Sequence, residues 1–191
     1  MSGGKFHVHG PHDHELEHAA QHGGEGMNSQ LAVMTAIIAT VGAVFSYMGG
    51  ATQANAGLYK NDAAIKKTEA SNQWNYYQAK SSKQNLAELA IEIAPESRKQ
   101  FYADEVKRYK SEKAEIQTKA EKLEAESKEW DDKSEQQIHQ HHRWAQATTA
   151  LQIAIAVAAM ALLTKSRGLL YGMYGVSVLG LALGAAAWMH Y

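Results

Sequence analysis

Cysteine is missing from all 191 residues, which excludes a disulfide framework and any thiolate metal site and leaves the compartment open. Proline occurs twice, and glycine does not occur in residues 59–143. Over that stretch only Pro95 can interrupt a helix. Charge of either sign is missing from residues 31–47, 145–164 and 169–189, which contain no Asp, Glu, Lys, Arg or His. A helix needs about 20 apolar residues to cross ~30 Å of hydrocarbon. With its flanks the first run becomes 29–50, and the sequence predicts three transmembrane helices, at 29–50, 144–164 and 168–189.

A secretory signal is not expected. It would place a basic region before a short apolar core, whereas residues 1–28 hold one Lys and four acids. The first span is therefore read as retained.

What the sequence does contain is a charged middle. Residues 51–143 carry 16 of the 19 Lys and Arg and 16 of the 20 Asp and Glu, so the region is neutral overall. That balance argues against a nucleic-acid surface. The two signs are interleaved, as on a solvated helical face. Within it Tyr102, Tyr109, Ile116, Leu123 and Trp130 recur every seven residues, and Val106, Lys113, Ala120, Ser127 and Ser134 complete the heptad. The first row is apolar throughout; the second is weak. The expected partner row is Leu58, Ile65, Leu86 and Ile93, broken by Asn72 and Ala79. Pro95 biases the residue before it away from helix and suits a helix's start, so the tip of an antiparallel helical hairpin falls there. Arms of about 40 to 48 residues would extend on the order of 60 to 70 Å. An intramolecular two-helix stalk is the favoured reading, with an intermolecular coiled coil or helical barrel as its rival.

The segment 71–83, SNQWNYYQAKSSK, together with LEHAA at 16–20, TAIIA in the first span and LQIAIAVAA followed by ALLTKSRGLLY, resembles a bacterial membrane family, domain-of-unknown-function family 4337. The resemblance covers most of the chain. It implies the order of an acidic, His-containing tail, one span, a helical hairpin and two closely spaced spans in an all-α membrane protein. It brings no activity and no catalytic residue. Trp74, Tyr76 and Tyr77 span about one helical turn and decorate more than one face; packing inside the hairpin, a subunit interface and a ligand platform are the three readings.

The third span carries Gly168, Gly172, Gly175, Gly180 and Gly184, including two G-x-x-x-G pairs, and the second carries Ala150, Ala154, Ala158 and Ala161. Small residues at these intervals let helix backbones approach closely. More such faces exist than three helices can use, so a homo-oligomer surrounded by membrane lipid is expected. Polar groups in the spans include Thr35, Thr40, Thr149, Gln152 and Ser177, with no ionisable acid or base at mid-depth, which argues against a coupled pump. An oligomeric channel lined by small residues and Gln152 is the alternative to a scaffold. The short loop Lys165-Ser166-Arg167 favours a cytoplasmic N-terminus and a periplasmic hairpin at a bacterial inner membrane, although Lys60, Lys66 and Lys67 pull the other way.

Histidine is concentrated at two places. His7, His9, His12, His14, His18 and His22 lie in the tail, and HDHELEH at 12–18 contains a literal H-E-x-x-H, the zinc-protease spacing. A hydrolytic site needs a third ligand and a fold that shields the bound water. Too few residues precede the first span to build one. The tail is read as a disordered polar segment, with capture of Zn²⁺, Ni²⁺ or Cu²⁺ or a response to pH as the functional alternative. No cofactor is required. His139, His141 and His142, with His190, form the second candidate set, across the membrane from the first. They are read as packing and hydrogen-bonding residues before ligands. No protein partner is identified. The expectation is a non-enzymatic membrane scaffold with a helical stalk.

Overall fold

The computed structural model describes residues 26–189, and His7, His9, His12, His14, His18, His22 and His190 lie outside the described residues. Three helices account for nearly all of it: α1 (Gly26–Ile93), α2 (Glu96–Thr164) and α3 (Arg167–Trp188). No strand occurs among the described residues. Each helix is long and apolar enough, by length and composition, to cross a membrane.

The two breaks have local causes. At the first, Ala94 still donates its N–H to the Ala90 carbonyl, and the helical pattern resumes with Arg98 N–H to the Pro95 carbonyl, both at 2.9 Å. Pro95 has no N–H to continue the ladder and disfavours helix at Ala94, and Glu96 then sets a carboxylate at the positive end of α2. At the second break Lys165 takes a left-handed conformation, φ 51°, and the extended Ser166 leads into α3. Glycine or asparagine usually fills such a position.

The described residues divide into two compact units, one of residues 26–49 and 142–189, the other of residues 50–141. In the first, Leu31, Ile38, Leu151, Ala154, Ala158, Ala161 and Met173 form one apolar core. Trp144 is buried with its ring centroid 5.2 Å from that of Phe45. The hydroxyls of Thr35, Thr40, Thr149 and Ser177 each donate to the carbonyl four residues earlier in their own helix, which satisfies them without an outside partner. Gln152, by contrast, is exposed.

In the second unit α1 and α2 meet along small side chains. Ala56, Ala63 and Ala70, seven residues apart, are buried, and so are Val106, Ala120, Ser127 and Ser134. Ser127 Oγ donates to the Ala63 carbonyl at 2.8 Å and Ser134 Oγ to the Ala56 carbonyl at 2.9 Å. As numbers climb along α1, their partners' numbers fall along α2.

Two expectations are corrected here. Leu58, Ile65, Leu86 and Ile93 are not the seam: they are 63, 47, 66 and 78 % exposed. The row judged weak on α2 is also the more buried one; of the apolar row only Ile116 is fully buried, while Tyr102, Tyr109, Leu123 and Trp130 are intermediate. The reason is distance. A hydroxyl reaches a backbone carbonyl on a neighbouring helix only if the backbones approach closely, and at those points of close approach Ala and Ser fit where Leu and Ile do not.

Candidate functional site

The densest chemistry among the described residues lies in the second unit, where the 71–83 segment of α1 faces residues 105–113 of α2. Tyr76 and Lys80 are four apart on α1, one helical turn, as are Arg108 and Glu112 on α2, so each pair presents adjacent side chains. Lys80 Nζ lies 2.5 Å from Glu112 Oε2 and is also 5.1 Å from the centre of the Tyr76 ring and 5.5 Å from that of Tyr109. Arg108 reaches Glu105 at 2.6 Å and Glu112 Oε1 at 3.6 Å, with its guanidinium 5.0 Å from the Tyr109 ring. One layer further, Lys113 Nζ sits 4.8 Å from the Tyr77 ring and donates to Gln84 Oε1 at 3.2 Å. Gln84, itself buried, donates to Glu88 Oε1 at 2.8 Å.

The electrostatics follow from these contacts. The hydrogen bond from Lys80 holds the Glu112 carboxyl below its ordinary value, aided by the Lys80 and Arg108 charges. Glu112 in turn raises Lys80, with Tyr76 adding to the effect. Hydrogen bonding to Tyr109 raises Arg108. Every group is stabilised in the charged form it already has at neutral pH.

Such a cluster clamps two helices. The aromatic faces that would receive a cationic ligand are occupied by the chain's own Lys80, Lys113 and Arg108. Tyr77 and Trp74 form an edge-to-face pair with centroids 5.6 Å apart, and Tyr76 stays half exposed. Tyr59 and Trp130 pair at 5.6 Å, and ion pairs Lys60 with Asp131, Lys66 with Glu126 and Lys67 with Glu124 accompany them. The sequence reading found the aromatics but passed over Lys80, Arg108, Glu112 and Gln84. The signal available was the four-residue spacing of Tyr76 to Lys80 and of Arg108 to Glu112.

The glycines separate into two groups. Gly180 and Gly184 are buried; a methyl group added at Gly180 would meet Leu151 and Ala150, and one added at Gly184 would collide with the Phe45 ring. Gly168, Gly172 and Gly175 are exposed, and nothing lies within 4 Å of a methyl placed at Gly172 or Gly175. The buried pair belongs to helix contact inside the chain. Ala150, Ala154, Ala158 and Ala161 are likewise buried.

His139 is exposed and lines an open groove of ≈ 630 Å³ with Glu135, Lys60 and Gln53. His141 is intermediate and His142 exposed. No three His, Asp or Glu side chains converge as a metal-holding group among the described residues.

The family model described as "Domain of unknown function (DUF4337)" matches residues 27–190. No curated protein and no solved structure matches the chain.

Proposed function

Because the chain belongs to this family of unknown function, which brings no activity to transfer, we propose a function from the residues themselves: a non-enzymatic, homo-oligomeric protein of the bacterial inner membrane that presents a helical stalk for scaffolding or partner docking. In this reading the apolar helical segments at 29–50, 144–164 and 168–189 cross the bilayer. Residues 51–143 form an antiparallel, coiled-coil-like hairpin with its tip near Pro95. The Lys165 and Arg167 loop favours a cytoplasmic N-terminus and a periplasmic stalk.

The observation that carries the reading is how the second unit uses its charged groups. Lys60, Lys66, Lys67 and Lys80 are matched to acids of α2, and the seam beneath them is closed mainly by Ala and Ser, with Val106 and Ile116. That chemistry holds helices together and offers no nucleophile with an adjacent base. Gln152 supports the oligomer: its amide is exposed on an apolar stretch of α2, where a neighbouring copy would spare it unpaired contact with hydrocarbon.

Native mass measurement of the full chain in nanodiscs tests this. Oligomers are expected; monomer at all protein concentrations would overturn the proposal.

A second reading rests on the H-x-H-G-P-H-x-H spacing of His7, His9, His12 and His14: a metal- or pH-responsive oligomer, or a channel, using the tail. Titration of Zn²⁺ and Ni²⁺ into the full chain and into a variant lacking residues 1–28 separates the readings, since only the responsive one requires saturable binding that disappears with the tail. Bilayer conductance tests the channel.

A further inference from the structure

The bulkiest aliphatic side chains of α1 in the second unit stand on the outside. Leu58, Ile65, Leu86 and Ile93 are all exposed and separated by seven residues or multiples of seven, with exposed Asn72 and Ala79 at the two remaining places. Leu89, three residues after Leu86 and four before Ile93, stands beside the row on the same face and is 58 % exposed. A scattered surface leucine is ordinary. A row at constant heptad phase is not, and here the buried Ala56, Ala63 and Ala70 repeat with the same seven-residue period at a different phase. Two positions separate Ala56 from Leu58, about 200° around the helix. The outer row therefore holds a fixed angle, on the far side of α1, while the inner one faces α2.

We propose that this outer row is the seam along which a second copy of the chain docks, parallel and in register, so that Leu58, Ile65, Leu86 and Ile93 meet their own counterparts and Asn72 meets Asn72. This deepens the oligomeric membrane reading above and rests on it.

Three observations select a second copy as the occupant. The first is Asn72. One amide within an apolar heptad row penalises every alignment except the one that sets another amide opposite it, and an identical parallel helix supplies that amide at the same height.

The second is area. Five aliphatic side chains offer on the order of 500 Å² of apolar surface, less than the ~800 Å² per side by which freely diffusing partners are typically held. A copy anchored in the same bilayer shares the chain's topology, runs parallel to it and is already concentrated beside it, so a narrow seam suffices.

The third is the contrast with α2. Its outward positions include Thr118, Glu121, Ala125 and Lys128, all exposed, and offer no comparable row of large aliphatic residues.

The absence of native cysteine makes the test clean, since each introduced thiol is the only one in the chain. Leu58→Cys, Ile65→Cys and Leu86→Cys, with Thr118→Cys and Ala125→Cys on the outer face of α2 as controls, are oxidised in native membranes, and the covalent dimer is quantified on non-reducing gels. A disulfide forms only where Cα atoms come within about 7 Å. The row variants should give about tenfold more homodimer than the controls at equal expression. Co-expressed Leu58→Cys and Ile65→Cys chains should cross-link to each other weakly, and more strongly once both also carry Asn72→Leu, which removes the alignment signal.

Row thiols that cross-link no better than the controls, or that join a protein of different mass, overturn the proposal. Native mass measurement of the same samples tells which idea has failed. An oligomer without row cross-links leaves the oligomeric reading and removes this interface, whereas monomer removes both.

Discussion

The hydroxyl of Ser134 donates to the carbonyl oxygen of Ala56, 78 residues earlier in the chain, at 2.9 Å. Ser127 makes the equivalent contact with Ala63 one heptad away. Because Ala56 and Ala63 lie within α1, their carbonyls are not left without a partner if the hydroxyls are removed. Ser134→Ala and Ser127→Ala should therefore each cost about 0.5–1.5 kcal/mol. Ser134→Leu must force the backbones apart and should cost more, about 1–3 kcal/mol from overpacking alone. Thermal unfolding of the full chain in detergent, followed by helical circular dichroism, ranks the three variants.

The Lys80 and Glu112 pair gives a pH dependence with a definite sign. Glu112 is held below the ordinary carboxylate value by the hydrogen bond from Lys80, so its contribution is present above the ordinary carboxylate pKa and is lost as pH falls through the lowered one. Lys80 is raised by Glu112, so its contribution is present below the ordinary lysine pKa and is lost as pH rises through the raised one. The pair acts across the whole interval between. Glu112→Gln should flatten the acid side of the curve of melting temperature against pH, and Lys80→Met should lower the melting temperature at neutral pH. Unchanged profiles in both variants would show that the pair contributes nothing measurable.

Gly184 and Gly172 should answer the same substitution differently. A methyl group at Gly184 meets the Phe45 ring, and Phe45 is packed against the buried Trp144. Gly184→Ala should cost about 1–3 kcal/mol and shift the tryptophan emission as the Phe45 and Trp144 pair is displaced. Gly172→Ala meets open space and, inside a helix, should raise stability by about 0.5–1 kcal/mol. Equal effects at the two sites would contradict the division of the glycines.

Lys165 adopts a left-handed backbone, φ 51°, which costs an L-residue with a Cβ roughly 1–2 kcal/mol. Lys165→Gly should raise stability by less than about 1 kcal/mol, because part of the relief is returned as unfolded-state entropy. Lys165→Ile should lower it, since a β-branched side chain tolerates the conformation least. Unfolding midpoints of the two variants moving in the same direction would refute this account of the turn.

Much of the architecture was legible because its signals are local. Pro95 marks the end of α1, and the Lys165-Ser166-Arg167 segment marks the boundary between α2 and α3. The absence of glycine from residues 59–143 agrees with two helices whose only break in that stretch is at Pro95. The seam was misread because hydrophobicity was taken as the measure of burial. Leu58 and Ile65 are more apolar than Ala56 and Ser127, yet the close approach of α1 and α2 leaves room only for the smaller pair. The motif around Trp74 was visible, but its partners were not. Glu112 and Lys113 are some thirty residues away, and only tertiary structure brings them to Lys80 and Tyr77.

A seam of repeated small residues has nearly translational symmetry. Ala56, Ala63 and Ala70 are the same side chain at equal steps, and Ser127 and Ser134 offer the same hydroxyl, so sliding α1 past α2 by one step of seven would leave the interior almost unchanged. Alignment by the small residues alone is close to degenerate. The symmetry is broken where large or charged groups meet across the helices: Tyr59 on Trp130, Tyr77 under Lys113, and Lys80 against Glu112. The stretch around Trp74 and Lys80 is then an address written into one step of the repeat, telling each helix which of several equivalent positions on its partner is the native one.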